Sequence, residues 1–215
     1  MADSKKVVVT GYGAWEKTEA NPSAQILGGL RQRTWADCEL VALEVPVITA
    51  ELHDWVEKTL LAQQPAVWMG IGVAPGSPAM RAEVIGTNWR HFDVPDNTGV
   101  SPQGEPVVDG GPAAYNADFP NKEIVAAWRA AGIPAVLSYS ACTHMCNQML
   151  YTSSHLIRKH ALPTRCGFLH VPLTPEHVAR HGSADTPEPS MSLELMTEAA
   201  VIALEQVISV MKAAA

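Results

Sequence analysis

No stretch of the 215-residue chain approaches the ~20 uninterrupted apolar residues that a membrane-spanning helix needs. Basic clusters are missing too: 15 Lys and Arg face 22 Asp and Glu for a net charge of −7, and no basic run exceeds Lys5-Lys6. That balance argues against nucleic acid or an anionic membrane as partner, and for a small, neutral or modestly charged one. Cysteine is scarce. Cys38, Cys142, Cys146 and Cys166 allow three pairings, but in a chain of this size without an export signal they are expected to be free thiols. Met1 to Lys6 lead into a strand instead of a signal-peptide apolar stretch, so the expected location is the cytoplasm. Asn21-Pro22-Ser23 is excluded as a glycosylation acceptor by its proline.

What remains is a chain that is 47% apolar and 17% charged, enough to bury a continuous core in one α/β domain spanning residues 1–215. Lys6 to Thr10, Glu39 to Val45, Ala66 to Ile71, Ala135 to Tyr139 and Gly167 to Val171 read as buried strands. Ser23 to Gln32, Thr49 to Gln63, Lys122 to Ala131, Met145 to His160 and Ser192 to Met211 carry helical apolar spacing. Their alternation predicts a mostly parallel sheet covered on both faces. Pro75 to Pro120, dense in Gly, Pro, Asp and Asn, reads as mostly ordered loop with an additional strand around Arg81 to Thr87.

Chemistry concentrates in Ser138-Tyr139-Ser140-Ala141-Cys142-Thr143-His144-Met145-Cys146-Asn147. A strand ends, small and polar residues turn the chain, and a helix begins with Cys146 in its first turn. Unpaired N–H groups and the helix dipole there favour a thiolate and are suited to hold an oxyanion. With an imidazolium nearby, the thiol is expected to ionise well below its usual pKa of about 8.5. His170 is the candidate base, because Gly167-Phe168-Leu169-His170-Val171-Pro172 sets it at the C-terminal end of an apolar strand, where ligands bind in open α/β sheets. A right-handed crossover through one helix would bring Cys146 and His170 to one sheet edge. Glu83 is the candidate carboxylate to orient that imidazole. It follows the turn Gly70-Ile71-Gly72-Val73-Ala74-Pro75-Gly76 and precedes Val84-Ile85, although composition does not separate it from Glu44, Glu105 or Glu176.

Other readings compete. A cysteine at a helix start also serves as a small buried hydrophobe, and a strand-end histidine as a satisfied structural residue. Cys142-x-His144-x-Cys146 has metal-ligand residue types but lacks the separated second half of a structural zinc site. Val7-Val8-Val9-Thr10-Gly11-Tyr12-Gly13 resembles a dinucleotide fingerprint until Glu16 appears where the third glycine belongs. Tyr12 and Trp15 fit either a core or a pocket wall.

At these residues the chain resembles the pyroglutamyl peptidase I family of cysteine peptidases, from Val7 to about His177. The family's T-G-F-x-P-F and N-P-S correspond to Thr10 through Trp15 and Asn21 through Ser23. Its E-R-x-A-x-N, P-D-N-x-G and D-G-P-A-A-Y segments are similar to Glu83 through Asn88, Pro95 through Gly99 and Gly110 through Tyr115. S-N-S-A-G-T-F-x-C-N matches Ser138 through Asn147, and G-F-x-H-x-P matches Gly167 through Pro172. The resemblance implies a three-layer α/β/α sandwich with a mostly parallel, mixed central sheet. It also implies a Cys146-His170-Glu83 triad, with Tyr12, Trp15, Val73 and Asn21 contacting substrate, and hydrolysis of the amide after an N-terminal 5-oxoproline. No metal or cofactor is implied, and a homo-oligomer, often a tetramer, is.

Departures from the pattern fall where the family holds the lactam. The phenylalanines of the first motif are Tyr12 and Trp15, and its proline is Ala14. Pro75 and Ser77 stand where glycine and arginine are usual, and the arginine after the triad glutamate is Val84. Tyr139, Cys142 and His144 replace asparagine, glycine and phenylalanine. Three functions are therefore open: a pyroglutamyl peptidase, a cysteine amidohydrolase for another small lactam or N-acyl amide, and a non-catalytic binding homologue.

Overall fold

The computed structural model describes residues 5–15, 20–36, 38–182 and 186–213. In chain order its elements are β1 (Lys5–Tyr12), α1 (Pro22–Arg31), β2 (Cys38–Val45), α2 (Thr49–Gln63), β3 (Val67–Val73), β4 (Met80–Glu83), β5 (Ile85–Thr87), β6 (Arg90–His91), β7 (Gln103–Glu105), β8 (Ala114–Asn116), α3 (Asn121–Ala130), β9 (Ala135–Ser138), α4 (Met145–Lys159), β10 (Arg165–Val171), α5 (Pro175–His181) and α6 (Leu193–Ala213).

Alternate residues of the central strands feed two different cores, as the two-residue period of a strand requires. Val7, Val9, Met69 and Ile71 pack with Ile26 and Leu30 of α1, Trp128 of α3 and Leu204 of α6. Val8, Trp68 and Phe168 point the other way, to Leu52 and Val56 of α2 and Met149 and Leu150 of α4. The result is a three-layer sandwich around a sheet ordered β2-β1-β3-β10-β4-β9. β2, β1, β3 and β10 are mutually parallel. β4 runs antiparallel to β10, and β9 runs parallel to β4, so the sheet is mixed. Among the described residues no helix is long and apolar enough to cross a membrane.

Two expectations change. Because β9 and β10 run in opposite directions with β4 between them, α4 is not a parallel crossover; the loop after β9 turns the chain back instead. The stretch from Pro75 to Pro120 is mostly ordered loop, as expected, but it holds more strand than the one segment read from the sequence. It contributes β4 to the main sheet and two small ribbons, β5 with β8 and β6 with β7. The single strand expected over Arg81 to Thr87 divides at Val84, whose N–H goes to Ser138 O at 2.8 Å. β5 then leaves the sheet to lie on α4, an approach so close that a Cβ on Gly86 would stand 2.9 Å from Tyr151 N. α5 had a legible signal that went unread: Thr174 accepts from His177 N and Pro175 opens the helix.

Candidate active site

The antiparallel pairing of β4 with β10 sets His170 opposite Arg81 and Phe168 opposite Glu83. All four side chains therefore share one sheet face, with Glu83 diagonal to His170 and within reach of a long side chain. Glu83 Oε1 receives His170 Nδ1 at 2.8 Å and Arg81 Nε at 3.1 Å. Glu83 is fully buried and His170 nearly so. Burial works to raise the Glu83 carboxyl, but His170, then the Ser138 hydroxyl and Arg81, outweigh it and hold the carboxyl below its ordinary value. The hydroxyl of Ser138 itself lies 3.2 Å from Ser140 O, and Glu83 Oε2 remains buried without a hydrogen-bond partner.

Cys146 reaches this pair from α4. The loop between β9 and α4 turns at Cys142, which holds a left-handed φ of 62°, and His144 stands at the N-cap in extended conformation, its side chain making no capping bond. Tyr12 Oη donates to Met145 O at 2.7 Å, fastening the end of β1 to the first residue of α4. Gly72, the β3 partner of His170, makes the room: a Cβ there would lie 2.5 Å from Cys146 Sγ and 3.0 Å from Phe168 Cζ. Cys146 and His170 are thus neighbours across a glycine. The expected depressed thiol does not follow, since burial pushes Cys146 well up, with Cys142 and Glu83 adding to the effect. A helix N-terminus does not compensate that desolvation, so charge on the sulfur requires a cation formed beside it.

The thiol and imidazole open into a cavity of about 560 Å³ whose wall includes Tyr12, Trp15, Asn21, Val73 and His144. His144 stacks on Phe92 at 3.8 Å between ring centroids and tilts against Trp15 at 5.0 Å. Its Nε2 lies 2.9 Å from Val94 O, which makes that nitrogen the protonated one. Trp15 Nε1 donates to Pro95 O at 3.0 Å. These bonds fix the two rings as one side of a cavity whose wall also carries Arg81, Asp93 and Glu188.

A pyroglutamyl peptidase family model matches residues 5–210. The chain belongs to the pyroglutamyl peptidase family. It is 34% identical to the pyrrolidone-carboxylate peptidase of Thermococcus kodakarensis over 94% of this chain and 95% of that protein. It is 38% identical to that of Clavibacter michiganensis over 79% of each. Among solved structures, the pyrrolidone carboxyl peptidase of Pyrococcus furiosus superposes with a TM-score of 0.91 at 33% identity, covering 95% of this chain and 98% of that one. Pyroglutamyl peptidase I of Bacillus amyloliquefaciens does so with 0.88 at 31% identity, covering 95% and 97%. As a member of this family the chain is a cysteine-type peptidase.

Within this peptidase the structure brings together Cys146, His170 and Glu83, and sets Tyr12, Trp15, Val73 and Asn21 around the same cavity. Asn21 is also a structural residue. Its Nδ2 donates to Gly13 O at 3.0 Å, and its Oδ1 accepts from Ser23 N at 3.1 Å and Ser23 Oγ at 2.8 Å. Two participants were missed. Arg81 was read only as the start of a strand, because its contact with Glu83 depends on the strand's facing. Asp96 lies in the Pro95 to Gly99 segment, where nothing local in the sequence gives it a role. Buried, it accepts from Thr49 N at 2.7 Å, Thr98 N at 2.8 Å, Thr98 Oγ1 at 2.7 Å and Val100 N at 3.0 Å. That fixes the loop whose Asn97 Nδ2 holds Ala14 O at 2.9 Å. Among the described residues no group of three or more His, Cys, Asp or Glu is arranged to hold a metal ion.

Proposed function

We propose that this peptidase removes N-terminal 5-oxoproline residues through Cys146, His170 and Glu83. The observation that carries the reading is the buried 2.8 Å bond from His170 Nδ1 to Glu83 Oε1, with the Cys146 thiol lying over Gly72, the β3 partner of His170. With Nδ1 donating to Glu83, Nε2 is the nitrogen left to accept a proton.

The Cys146 proton passes to His170, and the sulfur attacks the carbonyl that follows the lactam ring. Glu83 stabilises the imidazolium, while N–H groups in the first turn of α4 suit the oxyanion of the tetrahedral intermediate. His170 returns the proton to the leaving amine, so the C–N bond breaks and a thioester remains. Water then gives a proton to His170 and its oxygen to the carbonyl, and the thiol leaves with that proton. A neutral lactam suits a cavity walled by Tyr12, Trp15, Val73 and His144.

The test is release of aminomethylcoumarin from its pyroglutamyl amide under reducing conditions, with Cys146→Ser in parallel. Turnover by the parent alone supports the reading. Another small lactam or N-acyl amide is the second reading, favoured by the Tyr12, Trp15 and His144 wall; absent pyroglutamyl release with thiol-dependent cleavage of such an amide would select it. Assembly as a homo-oligomer, with the tetramer as first expectation, and cytoplasmic location belong to the same proposal. Sedimentation and cell fractionation check them.

A further inference from the structure

We infer that Arg81 is a positioning residue for catalysis: it holds the Glu83 carboxylate aimed at His170, and ties that carboxylate to the turn that leads into the helix carrying Cys146. The inference rests on the triad reading above, but its geometry is independent of the substrate. Arg81 lies directly opposite His170 in the β4–β10 ladder, and Glu83 is two residues further along the same face. Nε donates to Glu83 Oε1 at 3.1 Å, the oxygen that also receives His170 Nδ1 at 2.8 Å. Nη2 donates to Ser138 Oγ at 2.6 Å and to Ser140 O at 3.1 Å. One planar group therefore spans β4, the end of β9 and the turn that leads into α4.

A point charge on a flexible stem does not reproduce that span. The guanidinium presents its N–H groups in a fixed fork, so three acceptors on three segments are held in one relative geometry. The second carboxylate oxygen explains why the contact matters. Glu83 Oε2 is buried and unpaired, so the carboxyl lacks the full donor set that would hold a buried charge by itself. Of the groups that hold Glu83 down, His170 contributes most and Arg81 least, but the guanidinium keeps its charge at every working pH, and a neutral carboxyl stabilises an imidazolium poorly. That permanent positive charge opposes protonation of Glu83. By donating to Ser138 Oγ it also leaves the serine hydroxyl proton available to Ser140 O or to Glu83. Arg81 lines the catalytic cavity, yet Nε–H and both Nη2 N–H groups are engaged with protein, so its principal work is directed inward.

The test compares the parent with Arg81→Met and Arg81→Lys. For pyroglutamyl aminomethylcoumarin, Arg81→Met is expected to lower kcat about 10- to 100-fold, the scale of a small misplacement of catalytic groups, and to leave KM within about twofold. The acid limb of the kcat profile should move to higher pH, because Glu83 protonates more readily once the guanidinium is gone. Arg81→Lys keeps the charge without the fork and should recover part of kcat and most of the limb; it also reads the effect if Arg81→Met does not fold. Iodoacetamide alkylation of Cys146 against pH gives the same information without substrate, and its acid limb should move the same way. If the parent is inactive on the pyroglutamyl amide but the alkylation limb moves in Arg81→Met, the substrate reading fails and this inference stands. An unchanged limb in both assays, or a uniform loss at every pH that Lys does not relieve, overturns it as a structural role only.

Discussion

Glu83 and Asp96 are both buried carboxylates held below their ordinary value, and they are satisfied in opposite ways. Burial raises each, but at Asp96 it is outweighed by Thr49 N–H, Thr98 and Val100 N–H, which bind both oxygens. None of those partners titrates near neutrality, so Asp96 serves as a fixed acceptor that closes the 95–100 turn and supplies α2 with the cap that Ile48 lacks. At Glu83 one oxygen serves an imidazole and a guanidinium while the other has no partner. A saturated carboxylate contributes stability. An under-satisfied one shared with a histidine keeps energy available for a proton transfer that Asp96 has no group to perform.

The largest effect on the reactive side of this comparison comes from Cys146→Ser, expected to reduce turnover by about 10⁴-fold or more with the fold intact by circular dichroism. Glu83→Gln should lower kcat by about 10² to 10⁴-fold, since it removes the charge that stabilises the His170 imidazolium. Asp96→Asn should do the reverse, costing about 2 kcal/mol in urea unfolding by setting an amide N–H among donors, with kcat within roughly tenfold of the parent. Equal losses of kcat in these two variants would erase the distinction. Gly72→Ala sharpens it from the sulfur side: the new Cβ, 2.5 Å from Cys146 Sγ, should cost about 10- to 100-fold in kcat, read together with slower alkylation of Cys146.

The smallest effect is the pH dependence of a surface group. The hydrogen bonds of Lys159 and then His160 hold Glu57 down at about 2. A carboxyl lowered on folding stabilises above its unfolded value of about 4.3 and loses that contribution as pH falls through its folded value. Glu57→Gln should therefore reduce stability by less than about 1 kcal/mol at pH 6 and by less still near pH 2, where the contribution is being lost, as urea midpoints at the two pH values will tell. Glu83 and Asp96 have the same sign, so their contributions to stability are lost as pH falls through their lowered folded values.

Much of the fold was legible because its signals are local. The strands at Val7, Val41, Met69 and Leu169 announce themselves by β-branched and apolar runs, and α4 and α6 by their spacing. Cys146 and His170 sit in segments whose element type was readable, at a helix start and near a strand end. The Pro75 to Pro120 segment was harder because strands of two to four residues carry too few alternations to register, and their pairing is decided by partners far along the chain.

What the sequence by itself determined is which elements form and which side chains are chemically able to act, since propensity, periodicity and capping are written within a few residues. Only the tertiary structure decided the direction of β4, and with it the facing of Arg81, Glu83 and His170. It also decided the desolvation that raises Cys146, and the clearance at Gly72 that admits its sulfur. Register and burial are properties of how distant segments meet, and a strand reversed in the sheet would have presented the same residues to different partners.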